Sequence, residues 1–122
     1  MITEDYVSYE IAKLLKEKGM DKSCFYHYVQ KNNKDGTSEM VTSCTLQMAM
    51  KWLREVHNIH INLDIHWLDF ANSKGWMYVI ETILKNGIEF VDCKGDENDK
   101  TFYSSYEQAC EEALKYCLTN LI

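Results

Sequence analysis

The chain has 122 residues, 46% of them hydrophobic and 26% charged, and a formal net charge of −6. These values fit one globular domain spanning residues 1–122 with a core of its own, and they exclude a disordered, collagen-like or coiled-coil chain. Arg54 is the single arginine among 13 basic residues, which disfavours nucleic acid as a partner because guanidinium is the group that best grips phosphate and guanine.

Residues 1–10 carry acids early and lack the long apolar run of a secretory leader. No stretch approaches the ~20 apolar residues of a membrane helix, so the expectation is a cytoplasmic protein with no membrane contact. Cys24, Cys44, Cys93, Cys110 and Cys117 are odd in number and irregularly spaced. In a reducing compartment they read as small buried hydrophobes.

With no proline present, glycine punctuates the chain. A first helix is expected over Ser8–Lys18. Ser8 caps it, Ile11, Leu14 and Leu15 form its apolar face, Tyr6 or Val7 staples its start, and Gly19 ends it. Cys24–Gln30 is aromatic and short and reads as a strand, and Lys31–Ser38 reads as a polar loop. A second helix is expected over Thr45–His57, capped by Thr45 or Ser43, with Leu46, Ala49, Met50, Leu53 and Val56 on a 3.6-residue period. Met48 and Trp52 widen that stripe, and Asn58 suits a left-handed exit.

Ile59–Trp67 alternates strictly: Ile59, Ile61, Leu63, Ile65 and Trp67 on one side, His60, Asn62, Asp64 and His66 on the other. That is the pattern of a half-buried strand with a well-specified register. Trp76–Leu84 and Ile88–Cys93 read as a hairpin around Asn86-Gly87. A helix over 76–84 is the rival, disfavoured by the Val and Ile content. A two-residue Asn86-Gly87 loop would set Glu81 opposite Asp92, an unfavourable like-charge pair. The last helix runs over Ser105–Leu121, opened by a Ser105/Gln108 capping box and striped by Tyr106, Ala109, Cys110, Ala113, Cys117 and Leu121. The predicted fold is α+β: three helices packed on one face of a small, mainly antiparallel sheet, in the order α-β-α-β-β-β-α.

The segments VSYEIAKLLKEKGM, TLQMAMKWLREVHNIHI and YSSYEQACEEALKYCLTNLI resemble a set of small proteins of unknown function from gut anaerobic bacteria and from their phages and integrated elements. The match covers the three helices and the central strand, and KWLREVHNI is its most specific part. The resemblance implies an accessory protein of phage or mobile-element origin and supplies no catalytic residues.

Few constellations carry chemistry. His60, Asp64 and His66 share one strand face and offer imidazole and carboxylate donors. His60 and His66 lie about 20 Å apart on an extended strand, too far to bind one ion together. Cys24-x-x-His27 and His57-x-x-His60 lack the paired cysteines of a structural zinc site. Cys44, just ahead of a helix start, would have a lowered thiol pKa if the helix terminus dominated. The acidic run from Asp96 fails as a calcium loop, with Lys100 and Thr101 at ligand and glycine positions. Lys13, Lys16, Lys18, Lys22, Lys31 and Lys34 form the only basic cluster, diluted by Glu17 and Asp21.

No phosphate loop, dinucleotide fingerprint, nucleophile elbow or H-E-x-x-H is present. The reading is therefore a non-enzymatic protein, without cofactor, metal or catalytic residues, that binds another macromolecule: a protein partner or a second copy of itself. The 8 Tyr, 3 Trp and 4 Phe predict an exposed patch rich in Tyr and Trp, with Tyr26 and Tyr28 the first residues to consider. The alternatives are a small-molecule or metal site on the polar face around Asp64 and His66, and weak nucleic-acid binding through the lysine cluster.

Overall fold

Each helix begins where a hydroxyl side chain takes up a free backbone amide. In the computed structural model, which describes residues 2, 4–95 and 102–122, the Ser8 side chain accepts from Ile11 N–H at the start of α1 (Tyr9–Glu17). Thr45, not Ser43, accepts from Met48 N–H at the start of α2 (Leu46–His57). Ser105 accepts from Gln108 N–H at the start of α3 (Tyr106–Asn120). Ser43 is instead buried, its hydroxyl donating to the Val7 carbonyl at 2.8 Å. Asn58 ends α2 with φ at 57°, a left-handed turn that asparagine tolerates. At α3 the return arm of the capping box reaches one residue further back than expected: Gln108 Oε1 accepts from Ser104 N–H at 3.2 Å.

The return arm at α1 comes from another helix. Ser8 N–H donates to Glu111 Oε1 at 2.6 Å and Ser8 Oγ to Glu111 Oε2 at 3.1 Å. Burial pushes the Glu111 carboxyl above its ordinary range, and the Ser8 bonds offset this only in part. A carboxyl raised in the folded state binds its proton more tightly there than in the unfolded chain. Its burial therefore weighs against folding at neutral pH and is relieved as pH falls through the raised value. Glu111→Gln keeps an acceptor for Ser8 N–H without the charge. It is expected to match or exceed wild-type stability at neutral pH, with the difference shrinking on acidification, as read from urea midpoints over a pH series.

The strands form two antiparallel sheets: a hairpin of β1 (His27–Asn32) and β2 (Ser38–Ser43), and a meander β3 (Ile59–Leu68), β4 (Ser73–Leu84), β5 (Gly87–Lys94). A short 3₁₀ turn, Lys22–Cys24, precedes β1. β2 was not expected. The stretch read as a loop over 31–38 holds the end of β1, a five-residue turn over 33–37 closed by Asn33 N–H to the Thr37 carbonyl at 2.8 Å, and the start of β2. Polar β2 is held by pairing with β1 and by Lys31, which meets Glu39 at 3.1 Å and lies over the Tyr9 ring at 4.3 Å.

Residues 76–84 are strand, as the Val and Ile content favours. The turn after them sits one residue earlier than expected: Leu84 faces Gly87, so Lys85 and Asn86 form it. A bulge follows, with Glu81 opposite Phe90 and Ile80 opposite Asp92, leaving Val91 as the extra residue of β5. The earlier turn, by setting Glu81 opposite Phe90, avoids the like-charge pair of Glu81 with Asp92.

Helices pack on one face of the β3–β5 sheet. Ile59, Ile61, Tyr78 and Ile80 meet Leu46, Ala49, Met50 and Leu53 of α2 and Cys110, Ala113, Leu114, Cys117 and Leu118 of α3 in one core, joined by Ile11, Ala12 and Leu15 of α1. The apolar row of β3 outruns this cover: Leu63 is half-buried, and Ile65 and Trp67 are exposed. Val56, expected on the buried stripe of α2, is also exposed.

Candidate interaction surface

Strand pairing fixes what shares the sheet face turned away from the helices. Along β3 it carries His60, Asn62, Asp64 and His66, as the alternation requires. His60 is half-buried and faces Glu81 on β4. Asp64 is half-buried, takes a long contact of 3.4 Å from Asn62 Nδ2 and faces Met77. His66 is exposed, faces Gly75 and has its ring centroid 5.7 Å from that of Phe102. The strand thus brings Asp64 and His66 to one face, and their cross-strand neighbours Met77 and Gly75 supply no hard donor. Among the described residues no group of three or more His, Cys, Asp or Glu is placed to hold a metal ion.

The same face turns apolar along β4 and β5. Glu81 and Phe90 are opposite one another, as are Ile83 and Ile88, so Ile83, Ile88 and Phe90 lie together. Ile88 is 66% and Phe90 60% exposed, on paired backbone. Further along, Leu68 and Phe102 close over Gly75. The expected polar face is therefore polar in its β3 row and at Glu81, and apolar at Ile83, Ile88 and Phe90. Sequence reading missed the patch because alternation reports which residues share a face, not which face is covered. The available signal was the mismatch between apolar residues of both parities in 76–93 and helices enough for one side.

Other candidate residues separate. Tyr26 and Tyr28 are exposed, as is Met40; Tyr28 and Met40 share a face of the β1–β2 hairpin. The Tyr26 ring lies tilted by 50° against His27, with centroids 4.5 Å apart, and the Tyr6 hydroxyl lies 2.9 Å from His27 Nε2. Exposed tyrosine is thus present, Trp67 is exposed near the end of β3, and the open sheet face carries exposed isoleucine and phenylalanine besides. Within the lysine cluster Lys16 donates to the Thr42 carbonyl and hydroxyl at 2.9 and 2.8 Å, Lys18 donates to the Ile122 carbonyl at 2.9 Å, and Lys31 is paired with Glu39. Lys16 also borders a concavity of about 490 Å³ with Lys22, Met20 and Phe25. His57 packs edge-on to Trp52 at 4.7 Å with its Nε2 buried and unpartnered, while His60 lies on the sheet. The acidic run from Asp96 to Asp99 lies outside the described residues.

Cys44 overturns the expectation of a lowered thiol pKa. It is fully buried, and burial pushes its pKa up to about 12, outweighing its place ahead of α2. Burial likewise pushes Cys110 and Cys117 up to about 12. Cys93 is the exposed thiol and Cys24 is half-buried. A thiol-specific chromogenic reagent is expected to label Cys93 rapidly in the folded protein and to reach Cys44, Cys110 and Cys117 only on unfolding. Cys93→Ser should remove the rapid phase; rapid reaction of more than two thiols in the native protein would contradict this.

No helix among the described residues is long and apolar enough to cross a membrane. Comparison with protein-family models, with curated protein sequences and with solved structures finds no match to this chain.

Proposed function

We propose that this chain is a non-enzymatic accessory protein that acts by binding another macromolecule, using the apolar part of the open sheet face. The observation that carries this reading is that Ile88 and Phe90, both largely exposed, lie on one face of β5, with Ile83 opposite Ile88 on hydrogen-bonded backbone. Covering a large apolar side chain is worth about 1.5–3 kcal/mol. Two of them held at fixed spacing by a sheet are an anchor requiring little ordering on binding. The polar row of His60, Asn62 and Asp64 lies beside them as a rim. The resemblance of the helices to small proteins of anaerobic bacteria and their phages supports an accessory role of mobile-element origin, exercised in the cytoplasm.

Capture from lysate of the native host tests this, comparing wild type with an Ile88→Ser/Phe90→Ser variant whose fold is checked by circular dichroism. A saturable protein partner retained by wild type and lost by the variant is expected. An identical set of recovered proteins from both, or none from either, would sink the proposal.

A further inference from the structure

Successive residues of an antiparallel strand turn their backbone amides to alternate neighbours. Ile83 N–H donates to the Asn58 carbonyl at 2.7 Å, so odd-numbered residues of β4 face β3. Trp76 exchanges two hydrogen bonds of 2.8 Å with Tyr103 on the other side, so even-numbered residues face β5. Thr82, Ile80 and Tyr78 therefore bond to β5, and their partners there are Glu89, Asp92 and Lys94. Ile88, Phe90 and Cys93 turn their N–H and C=O groups outward, to an edge that no described strand pairs with. The bulge residue Val91 breaks the period of two. Outward groups fall at 88, 90 and 93, and the strand ends at Lys94.

An edge with this broken period is selective. Two copies paired antiparallel must set outward residue against outward residue. One register does so on both sides of the bulge: a two-fold axis between Val91 and Asp92, with Phe90 of each copy facing the other copy's Cys93. The same register sets Glu89 against Lys94 twice, carboxylate against ammonium, on one face and at positions where side chains of paired strands lie closest. The two Asp92 residues approach the axis, each with the Tyr78 hydroxyl of its own chain 3.4 Å away as donor.

Resting on the reading of this face as a contact surface, we propose that the first macromolecule bound there is a second copy of this chain, paired through β5 into a continuous six-stranded sheet. The join extends the apolar strip of Ile83, Ile88 and Phe90 across the axis, so that any further partner meets two copies of it.

Sedimentation velocity over a concentration series at low salt tests the pairing on the full chain. Wild type should show a monomer–dimer equilibrium. Glu89→Lys and Lys94→Glu should each weaken it at least fivefold, and the double swap should restore it. Phe90→Cys places a thiol opposite the second copy's Cys93, so mild oxidation should yield a covalent dimer that adding Cys93→Ser abolishes. A monomer at every concentration overturns the proposal, as does a dimer indifferent to both swaps, or the absence of that cross-link. A monomeric wild type that still loses a captured partner on the Ile88→Ser/Phe90→Ser change would overturn self-pairing while leaving the contact surface standing. A dimer in the stated register that recovers no other protein would uphold self-pairing and overturn the reading of a separate partner.

Discussion

Leu114→Ala is expected to lower the unfolding free energy by about 2–5 kcal/mol. Leu114 is fully buried in α3, the helix that packs against α1, α2, β3 and β4. Its neighbours in the core include Ala113, Cys110, Cys117 and Leu118, all with no exposed surface. Truncation removes methyl groups from water-free contact and leaves a cavity walled by elements that cannot all close in on it. Against a total stability of about 5–15 kcal/mol for a domain of this kind, that is a large fraction. Equilibrium urea unfolding should show a lower midpoint at an unchanged slope. Val56→Ala, on the exposed side of α2, serves as the control and should move the midpoint little. A Leu114→Ala midpoint within error of wild type would contradict the assignment of the core.

Gly75→Ala should cost about 1–3 kcal/mol by overpacking. A Cβ at Gly75 would stand 2.6 Å from Leu68 Cδ1 and 2.7 Å from Phe102 Cβ. The leucine methyl can rotate away, but the Phe102 Cβ moves only with its backbone. That backbone is fixed next door, where Tyr103 exchanges hydrogen bonds with Trp76. The strain therefore falls on the segment that ties the start of α3 to β4. Thermal unfolding of Gly75→Ala should show a lowered Tm, and an unchanged Tm would mean that Phe102 does not lie over the sheet as described.

The parts of the fold legible in sequence are those decided locally. Thr45 and Asn58 bracket α2 because one hydroxyl and one left-handed residue suffice to start and stop a helix. The β3 alternation is complete over Ile59–Trp67, so its register with β4 follows from one buried face. β2 was hidden because Ser38-Glu39-Met40-Val41-Thr42-Ser43 offers only two apolar residues, and its stability comes from β1 and Lys31 rather than from itself. The bulge at Val91 exists only relative to β4, so no property of β5 alone announces it. Of the candidate residues, Asp64 and His66 share a face, as the alternation implies, and Tyr26 and Tyr28 are exposed, Tyr26 just ahead of β1 rather than within it. Ile83, Ile88 and Phe90 were not singled out, since their exposure depends on where the helices stop. Cys44 shows the same limit for chemistry. A helix terminus is visible in sequence, but the burial that outweighs it is a property of the packed molecule.

Lys16 gives the two hairpins different fates in a crowded solution. In the β1–β2 hairpin the Asn33–Thr37 hydrogen bond sets the alternation, so the Thr42 carbonyl points away from β1, and the Lys16 ammonium is seated on it. A stray strand approaching that part of β2 must first dislodge a charged amine from two oxygen acceptors and strip its remaining water. Charged lysine at a strand margin is a common protection against runaway aggregation. β2 is thus shielded there against indiscriminate stacking, while the irregular margin of β5 admits a template only in step with its own broken spacing.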